Sequence, residues 1–335
     1  MHVNQIIVVK ETREGEARVA LTPKTVAALV AKHYSIMIES EAGIPAGFKD
    51  EEYIQSGARI FKLTSEDFPP HSLVLRVKRP NKARELLENS LLKTDTVMIG
   101  FLDPFDVDGE SHIEKWHALG IHTISLELLH LTADDPKNAQ AAMSRFAGRL
   151  ALQHALQEYR DLLPKKVTVL GTGPAGLGAA IAARSLQLPV QVFGRQERHR
   201  SALEAAGIIY YVLPVTDQIA FIRTHLSHET IVITAARNIG KNAPLLIDAT
   251  SLAALPENAV IVDLSAGEGG NVIGSKQDQV VIVDRNISII NVSGYPKAEP
   301  RAASEAFAQC IVNLLFELMA SDGEINLENA LLGQE

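Results

Sequence analysis

Residues 165–186 read KKVTVLGTGPAGLGAAIAARSL, and this stretch decides the fold of the second half of the chain. Its glycines form a GxGxxG motif between an apolar run and a helical run of small residues. In such a strand–turn–helix, the first glycine permits the tight turn, the second lets backbone N–H groups approach a pyrophosphate, and the third lets the helix pack closely on the strand. The stretch therefore predicts a dinucleotide-binding turn, with a merely structural turn as the alternative. The candidate binding residues are Gly171, Gly173, Pro174, Ala175 and Gly176.

Short apolar runs alternate with helical patterns on both sides of this motif. Before the motif, the apolar runs lie at 6–9, 35–39, 73–77, 96–101 and 122–126. After it, they lie at 190–193, 207–212, 231–234, 260–264, 280–283 and 287–290. This alternation predicts two mostly parallel, doubly wound α/β domains. A long helical pattern at 138–159 links them, and we expect the final helix, 302–320, to pack back on the N-terminal domain.

Length and composition agree with this organisation and exclude several classes of protein. A chain of 335 residues suits two domains, and 46% hydrophobic with 21% charged residues is typical of globular proteins. Because the net charge is −8, no basic field attracts nucleic acid, and we expect no nucleic-acid partner. A single cysteine and an N-terminus without a leader pattern favour a cytoplasmic protein. No metal-ligand spacing occurs among the histidines, so we expect no metal site.

The end of the second strand after the motif indicates which dinucleotide is bound. In an NAD-binding fold, an acidic residue about twenty residues past the turn accepts hydrogen bonds from the adenosine ribose. Here the strand ends at Gly194, and Arg195, Arg198 and Arg200 follow. The missing carboxylate removes repulsion toward a 2′-phosphate, and a guanidinium can pair with that phosphate bidentately. We therefore predict that NADP(H) is favoured over NAD(H); a solvated basic loop is the competing interpretation.

Several longer motifs carry a resemblance that covers nearly the whole chain. They include VVKETREGEARVALTP at 8–23, LRVKRP at 75–80, the glycine turn, VIVDLSAGEGGN at 260–271 and GYPKAEPRAAS at 294–304. In this order they resemble the alanine dehydrogenase and NAD(P) transhydrogenase alpha-subunit family. The resemblance implies a Rossmann dinucleotide-binding domain, 138–301, inserted into a flavodoxin-like N-terminal domain, 1–137 plus 302–335. It also implies hydride transfer in an interdomain cleft, and a homodimer or higher homo-oligomer.

The resemblance further implies substrate residues in the N-terminal domain. Arg18 and Lys78 match family positions that hold the carboxylate of a 2-oxo acid, and a guanidinium beside an ammonium suits a small carboxylate. Asp103 stands where the dehydrogenases carry their catalytic histidine, so it is a candidate proton carrier, with a turn-forming role as the alternative. In the dinucleotide domain, small residues end the fourth strand, where ribose and nicotinamide can lie close: Thr234, Ala235 and Ala236.

Two branches of the family and one non-enzymatic function fit these residues. The segments GFLDPF at 100–105 and AGEGGN at 266–271 resemble the transhydrogenase alpha subunit, which passes hydride directly between two nicotinamide rings. The leading prediction is a transhydrogenase-type NAD(P)-dependent oxidoreductase, with a membrane transhydrogenase subunit as a candidate partner. The alternatives are an amino-acid dehydrogenase acting on a small 2-oxo acid, and a redox sensor that binds the nucleotide without turnover.

Overall fold

A computed structural model of the protein describes residues 3, 5–63, 68–106, 109–160, 164–238 and 241–319. The chain divides into two compact units. Unit 1 is Met1–Met143 together with Lys297–Glu335, and unit 2 is Ser144–Pro296. The boundaries predicted from the sequence, 137/138 and 301/302, lie a few residues from these divisions.

Strands and helices alternate along the described chain. The strands are β1 Gln5–Val8, β2 Ile36–Glu39, β3 Arg59–Phe61, β4 Ser72–Lys78, β5 Val97–Phe101, β6 His122–Ser125, β7 Val167–Leu170, β8 Val190–Gly194, β9 Ile209–Val212, β10 Ile231–Thr234, β11 Val260–Asp263, β12 Val280–Val283 and β13 Ile287–Ile290. The helices are α1 Pro23–Val30, α2 Asp50–Gln55, α3 Lys82–Leu91, α4 Gly109–Ala118, α5 Ala139–Glu158, α6 Pro174–Ser185, α7 Arg200–Ala205, α8 Gln218–Arg223, α9 Ala249–Ala254 and α10 Pro300–Leu318.

Unit 1 contains a six-stranded parallel sheet in the order β3-β2-β1-β4-β5-β6. Its central strands are continuous apolar runs, such as Leu73, Val74 and Leu75, because helices cover both faces of a doubly wound sheet. The prediction of a doubly wound α/β domain is confirmed. Strands β2-β1-β4-β5-β6 follow the flavodoxin-like order 2-1-3-4-5, and β3 extends it to the Rossmann order 3-2-1-4-5-6. The difference is β3, a three-residue edge strand too short to be recognised from its sequence pattern.

Two helices of unit 1 show how local sequence determines its structure. α1 begins as predicted, with Thr22 as the N-terminal cap and Pro23 in the first turn, and the Thr22 side chain accepts a hydrogen bond from the Thr25 backbone. The final helix, α10, packs against α1, as expected for its broad apolar stripe. Ser304 on α10 also accepts a hydrogen bond from the Val19 N–H at 3.0 Å. The last helix that the structure describes is therefore part of the N-terminal unit.

Unit 2 contains a seven-stranded sheet in the order β12-β13-β11-β10-β7-β8-β9. Six strands are parallel and β12 pairs with β13 in the antiparallel direction, so the sheet is a Rossmann arrangement closed at one edge by a hairpin. α5 and α6 pack very closely in this unit. A Cβ added to Gly148 would lie 1.8 Å from the Ala175 carbonyl oxygen, and one added to Gly178 would lie 2.3 Å from the Arg145 carbonyl oxygen. The small residues around the glycine turn therefore allow two helix backbones to touch.

Candidate functional site

The glycine turn of unit 2 joins β7 to α6 at the carboxyl edge of the sheet. Gly171 has φ +123°, a conformation that L side chains rarely adopt, and its N–H donates to the Phe193 carbonyl at 2.8 Å. A Cβ on Gly171 would lie 2.8 Å from the Ala235 carbonyl oxygen, and one on Gly176 would lie 2.1 Å from the Gly171 carbonyl oxygen. The first and third glycines are therefore required by the close approach of the chain's own backbone.

The second glycine of the turn is in a different environment. Gly173 is the N-terminal cap of α6, with φ −70° and ψ 174°, and a Cβ added there would meet no atom within 4 Å. The cap makes no side-chain hydrogen bond, so it leaves the first-turn N–H groups of α6 without a capping side chain. Open space in front of a positively polarised helix end suits an anion such as a pyrophosphate. The fold itself does not need a glycine at 173, whereas a ligand close to the backbone would.

The predicted residues at the end of β10 lie against this turn. Thr234 is fully buried and donates to the Asp263 carboxylate at 2.9 Å. The Ala235 N–H donates to the Leu170 carbonyl at 2.9 Å, and the Ala236 N–H donates to the Asn271 side chain at 3.0 Å. Ala235 and Ala236 thus present their backbone beside Gly171, whereas the buried Thr234 side chain bonds to Asp263.

A buried polar network behind this surface was missed from the sequence. The Asp263 carboxylate accepts hydrogen bonds from Thr234 and from the backbone N–H groups of Ser265 and Asn271, at 2.9, 3.0 and 2.9 Å. Asp263 and Asn271 are fully buried. The signal that could have indicated them is an Asp that directly ends an apolar strand, followed by a glycine-rich turn and an Asn. Polar groups at such a position must find partners inside the fold.

The packing at the end of β8 leaves no room for an acidic side chain at position 194. A Cβ on Gly194 would lie 2.5 Å from the Thr172 methyl carbon and 2.6 Å from the Tyr210 hydroxyl oxygen. Tyr210 is buried, and its hydroxyl donates to the Gln196 carbonyl at 2.8 Å. The space in which an acidic side chain would begin is therefore filled by two other side chains.

The three arginines after Gly194 differ in their surroundings. Arg200 donates to Glu204 at 3.0 Å and to the Tyr210 carbonyl at 3.1 Å, and it also pairs with Glu197. Arg195 and Arg198 are exposed, and neither makes a hydrogen bond or an ion pair within the residues that the structure describes. Of the predicted phosphate-binding cations, these two have uncommitted guanidinium groups.

In unit 1, Lys78 and Asp103 lie together. The Lys78 ammonium is 2.8 Å from one oxygen of the Asp103 carboxylate, and Arg13 pairs with the other oxygen. The Asp103 backbone has φ +52°, and its N–H donates to the Glu127 carboxylate at 3.1 Å. Burial opposes ionisation of Asp103, but the two cations outweigh it and hold the pKa of this carboxyl below its usual value. Asp103 is therefore an anion at neutral pH.

Arg18, the other predicted substrate residue, pairs with Glu16. Its Nε and Nη2 atoms are each 2.7 Å from an oxygen of the Glu16 carboxylate, and both side chains are buried. Burial opposes ionisation of Glu16, but the hydrogen bonds and charge of Arg18 lower the pKa of its carboxyl. Arg18 and Lys78 therefore each have a carboxylate partner within the chain.

Glu11 is a second group that the sequence did not single out. Its carboxylate accepts hydrogen bonds from the backbone N–H groups of Val77 and Lys78 at 2.6 and 3.1 Å. Burial raises its pKa to about 7, although the nearby Arg76 acts in the opposite direction. The sequence signal was weak, because Glu11 stands among other charged residues just after the first strand.

Two further properties concern all of the described residues. Within them, no cluster of three or more His, Cys, Asp or Glu side chains is arranged to hold a metal ion. Among the helices in the same residues, none has both the length and the apolar character needed to cross a membrane.

Two α/β units, one with an open glycine turn, define a two-domain protein with a dinucleotide-binding fold. The alanine dehydrogenase/PNT N-terminal domain matches residues 7–147, and the alanine dehydrogenase/PNT C-terminal domain matches residues 138–334. The chain belongs to this family of NAD(P)-dependent oxidoreductases, and the predicted family and enzyme class are confirmed.

Individual relatives come from both branches of the family. An NAD(P) transhydrogenase subunit alpha from Rickettsia prowazekii (strain Madrid E) is 24% identical, over 98% of this chain and 93% of that protein. The crystal structure of transhydrogenase from Sinorhizobium meliloti aligns with a TM-score of 0.85 and 26% identity, over 98% of this chain and 97% of that one. An L-alanine dehydrogenase structure aligns with a TM-score of 0.82 and 27% identity, over 98% and 94%. The overall similarity therefore does not separate the two branches.

The contrast between the glycines of the turn gives a test of the site. We expect Gly173→Val to fold with only a small fall in melting temperature, since valine caps a helix less well than glycine, and to weaken dinucleotide binding at least about tenfold, roughly 1.4 kcal/mol, because the side chain fills the ligand's space. Gly176→Ala should instead lower the melting temperature, because its Cβ would collide with the Gly171 carbonyl. Calorimetric titration and thermal unfolding of both variants measure this. Undiminished binding by Gly173→Val would remove the assignment of the turn.

Proposed function

We propose that the protein is a transhydrogenase-type oxidoreductase that passes hydride between nicotinamide dinucleotides, one of them bound at the glycine turn of unit 2. A nicotinamide dinucleotide supplies or accepts the hydride when bound. The α6 N-terminus binds its pyrophosphate. Gly171 lies against the backbone of Ala235, so no side chain stands between these two segments. The open surface at Gly173 supports the binding step.

The observation that carries the choice of branch is the ion pair between Lys78 and Asp103. A 2-oxo acid held by Lys78 would have to compete with a carboxylate that is already in place at 2.8 Å and is shared with Arg13. The Asp103 side chain is mostly buried and fixed beside Lys78. An internal carboxylate held in this way has a much higher effective concentration than a dilute external one. The pairing therefore favours a reaction that has no substrate carboxylate.

The protonation state of Asp103 also favours the transhydrogenase-type reaction. A general acid or base works best with a pKa near the working pH, but Lys78 and Arg13 keep the pKa of Asp103 low. Asp103 is consequently poorly suited to carry a proton at neutral pH, as amino-acid oxidation would require. Hydride exchange between two nicotinamide rings needs no such proton, since the rings exchange hydride without net proton release.

An assay of the intact chain separates the branches. We expect hydride transfer from NADPH or NADH to an oxidised analogue such as 3-acetylpyridine adenine dinucleotide, followed by absorbance. Pyruvate or glyoxylate with ammonia should leave the reduced dinucleotide unchanged. Oxidation of the dinucleotide by a 2-oxo acid at the faster rate would support the amino-acid dehydrogenase instead. If dinucleotides bind and neither reaction occurs, with or without the proposed partner subunit, the sensor is supported.

For the dinucleotide at the turn, we propose a preference for NADP(H), with NAD(H) as the weaker ligand. Gly194 provides no carboxylate, and Tyr210 and Thr172 fill the space where one would begin. Arg195 follows directly and is exposed without a partner among the described residues. A bidentate contact between its guanidinium and a 2′-phosphate would contribute about 1.5–3 kcal/mol, or about ten- to hundredfold in affinity.

Titration at physiological salt tests this preference. We expect NADPH to bind at least about tenfold more tightly than NADH, and Arg195→Ala to remove most of that difference while leaving NADH binding unchanged. Arg285→Ala is the control for the loss of one exposed positive charge elsewhere in unit 2, in the turn before β13, where the Arg285 guanidinium donates to the Ala253 carbonyl at 2.6 Å. Equal affinities in the unmodified protein would show that the exposed arginines are merely solvated.

We also propose, from the names of the relatives, that the chain works with partners. One relative is named as an alpha subunit, which supports a second, separately encoded transhydrogenase subunit. A homodimer or higher homo-oligomer and a cytoplasmic location belong to the same proposal. The net charge of −8 gives no support for a nucleic-acid partner.

A further inference from the structure

The side chain of Asn271 makes hydrogen bonds to both backbone polar groups of Ala236. Its Oδ1 accepts the N–H of Ala236 at 3.0 Å, and its Nδ2 donates to the carbonyl of the same residue at 2.9 Å. Nδ2 also donates to the Pro244 carbonyl at 2.7 Å. Asn271 is fully buried, so water does not compete for these bonds. The amide thus fixes the backbone orientation of Ala236.

Asp263 fixes Asn271 in turn. Its carboxylate accepts the N–H groups of Asn271 and Val272 at 2.9 and 3.3 Å, as well as the Thr234 hydroxyl at 2.9 Å. These donors are all neutral groups, and Asp263 is fully buried at the end of β11. A buried carboxylate that accepts several hydrogen bonds fixes the position of its donors. The ends of β10 and β11 and the turn at Asn271 are therefore tied to one carboxylate.

The Ala235–Ala236 backbone, which Asn271 orients, lies next to the glycine turn. The position of a Gly171 Cβ is 2.8 Å from the Ala235 carbonyl oxygen and 3.2 Å from the Ala236 nitrogen. In the Rossmann order, a dinucleotide crosses from the first strands to the fourth and fifth, with its adenosine half over the first two. β10 and β11 are the fourth and fifth parallel strands of this sheet, so Ala236 lies on the nicotinamide side.

We propose that Asn271 is a positioning residue that, held by Asp263, orients the Ala235–Ala236 backbone for the nicotinamide half of the dinucleotide. This inference rests on the proposed dinucleotide binding and adds a residue to it. A purely structural role would make the network stabilise unit 2 as a whole. A positioning role predicts that loss of Asn271 affects one half of the ligand and leaves the other half unaffected.

Binding of NADPH and of ADP, which lacks the nicotinamide half and the 2′-phosphate, distinguishes these roles when each variant is compared with the unmodified protein. We expect Asn271→Ala to weaken NADPH binding about tenfold and to change ADP binding by less than about twofold, because ADP lacks the nicotinamide half. Gln191→Ala is the matched control. It also removes a buried amide from unit 2, one whose Nε2 donates to Thr168 and to the His225 carbonyl at 2.8 and 3.1 Å, near the start of β8. Its ratio of NADPH to ADP affinity should equal that of the unmodified protein.

Thr234→Val is the second variant and serves if Asn271→Ala does not fold, because it removes only the hydroxyl donor to Asp263. It should weaken NADPH binding selectively, by about threefold. Equal losses of NADPH and ADP affinity, or unchanged NADPH affinity in a folded variant, would overturn the role of Asn271. Failure of the unmodified protein to bind either ligand would overturn the proposed function, and this outcome is distinguishable because it requires no variant.

Discussion

Backbone contact between three segments determines the architecture of unit 2. Gly171 and Gly176 allow the strand, the turn and the helix to touch, and Gly171 also packs against the Ala235–Ala236 peptide from the neighbouring strand. At Gly171 and Gly176 these contacts leave no room for a Cβ, so both positions require glycine. Gly173, between them, has room, and only a ligand would need it to be glycine. The same few atoms therefore determine both the fold and the shape of the proposed anion site.

Unit 1 shows a different principle, in which charges are paired before any ligand arrives. Lys78 and Arg13 share the Asp103 carboxylate, and Arg18 pairs with Glu16 in a buried position. Breaking a buried pair leaves an uncompensated charge, so an external carboxylate gains little by entering. This physical cost, more than overall similarity to either branch, supports our proposal of hydride exchange between nicotinamides over oxidation of an amino acid.

The sequence predicted the structural features that depend on residues close together along the chain. The strand–turn–helix at 165–186, the alternating strands and helices and the cap at Thr22 are all local patterns. It could not predict contacts between distant segments. Tyr210 fills the space beside Gly194, and Asn271 grips Ala236; each of these pairs is brought together only when the parallel strands align. The antiparallel direction of β12 and the pairing of the edge strand β3 were missed for the same reason, since strand pairing is not written in a strand's own pattern.

A crystal structure of the intact chain with NADPH would test the dinucleotide site most directly. The pyrophosphate should lie at the α6 N-terminus, with an oxygen within hydrogen-bond distance of the Ala175 or Gly176 N–H, and the 2′-phosphate should lie beside Arg195. The nicotinamide should lie over the Ala235–Ala236 backbone. Density for the pyrophosphate away from the glycine turn, with Gly173 still facing empty solvent, would contradict the assignment of this turn as the dinucleotide site.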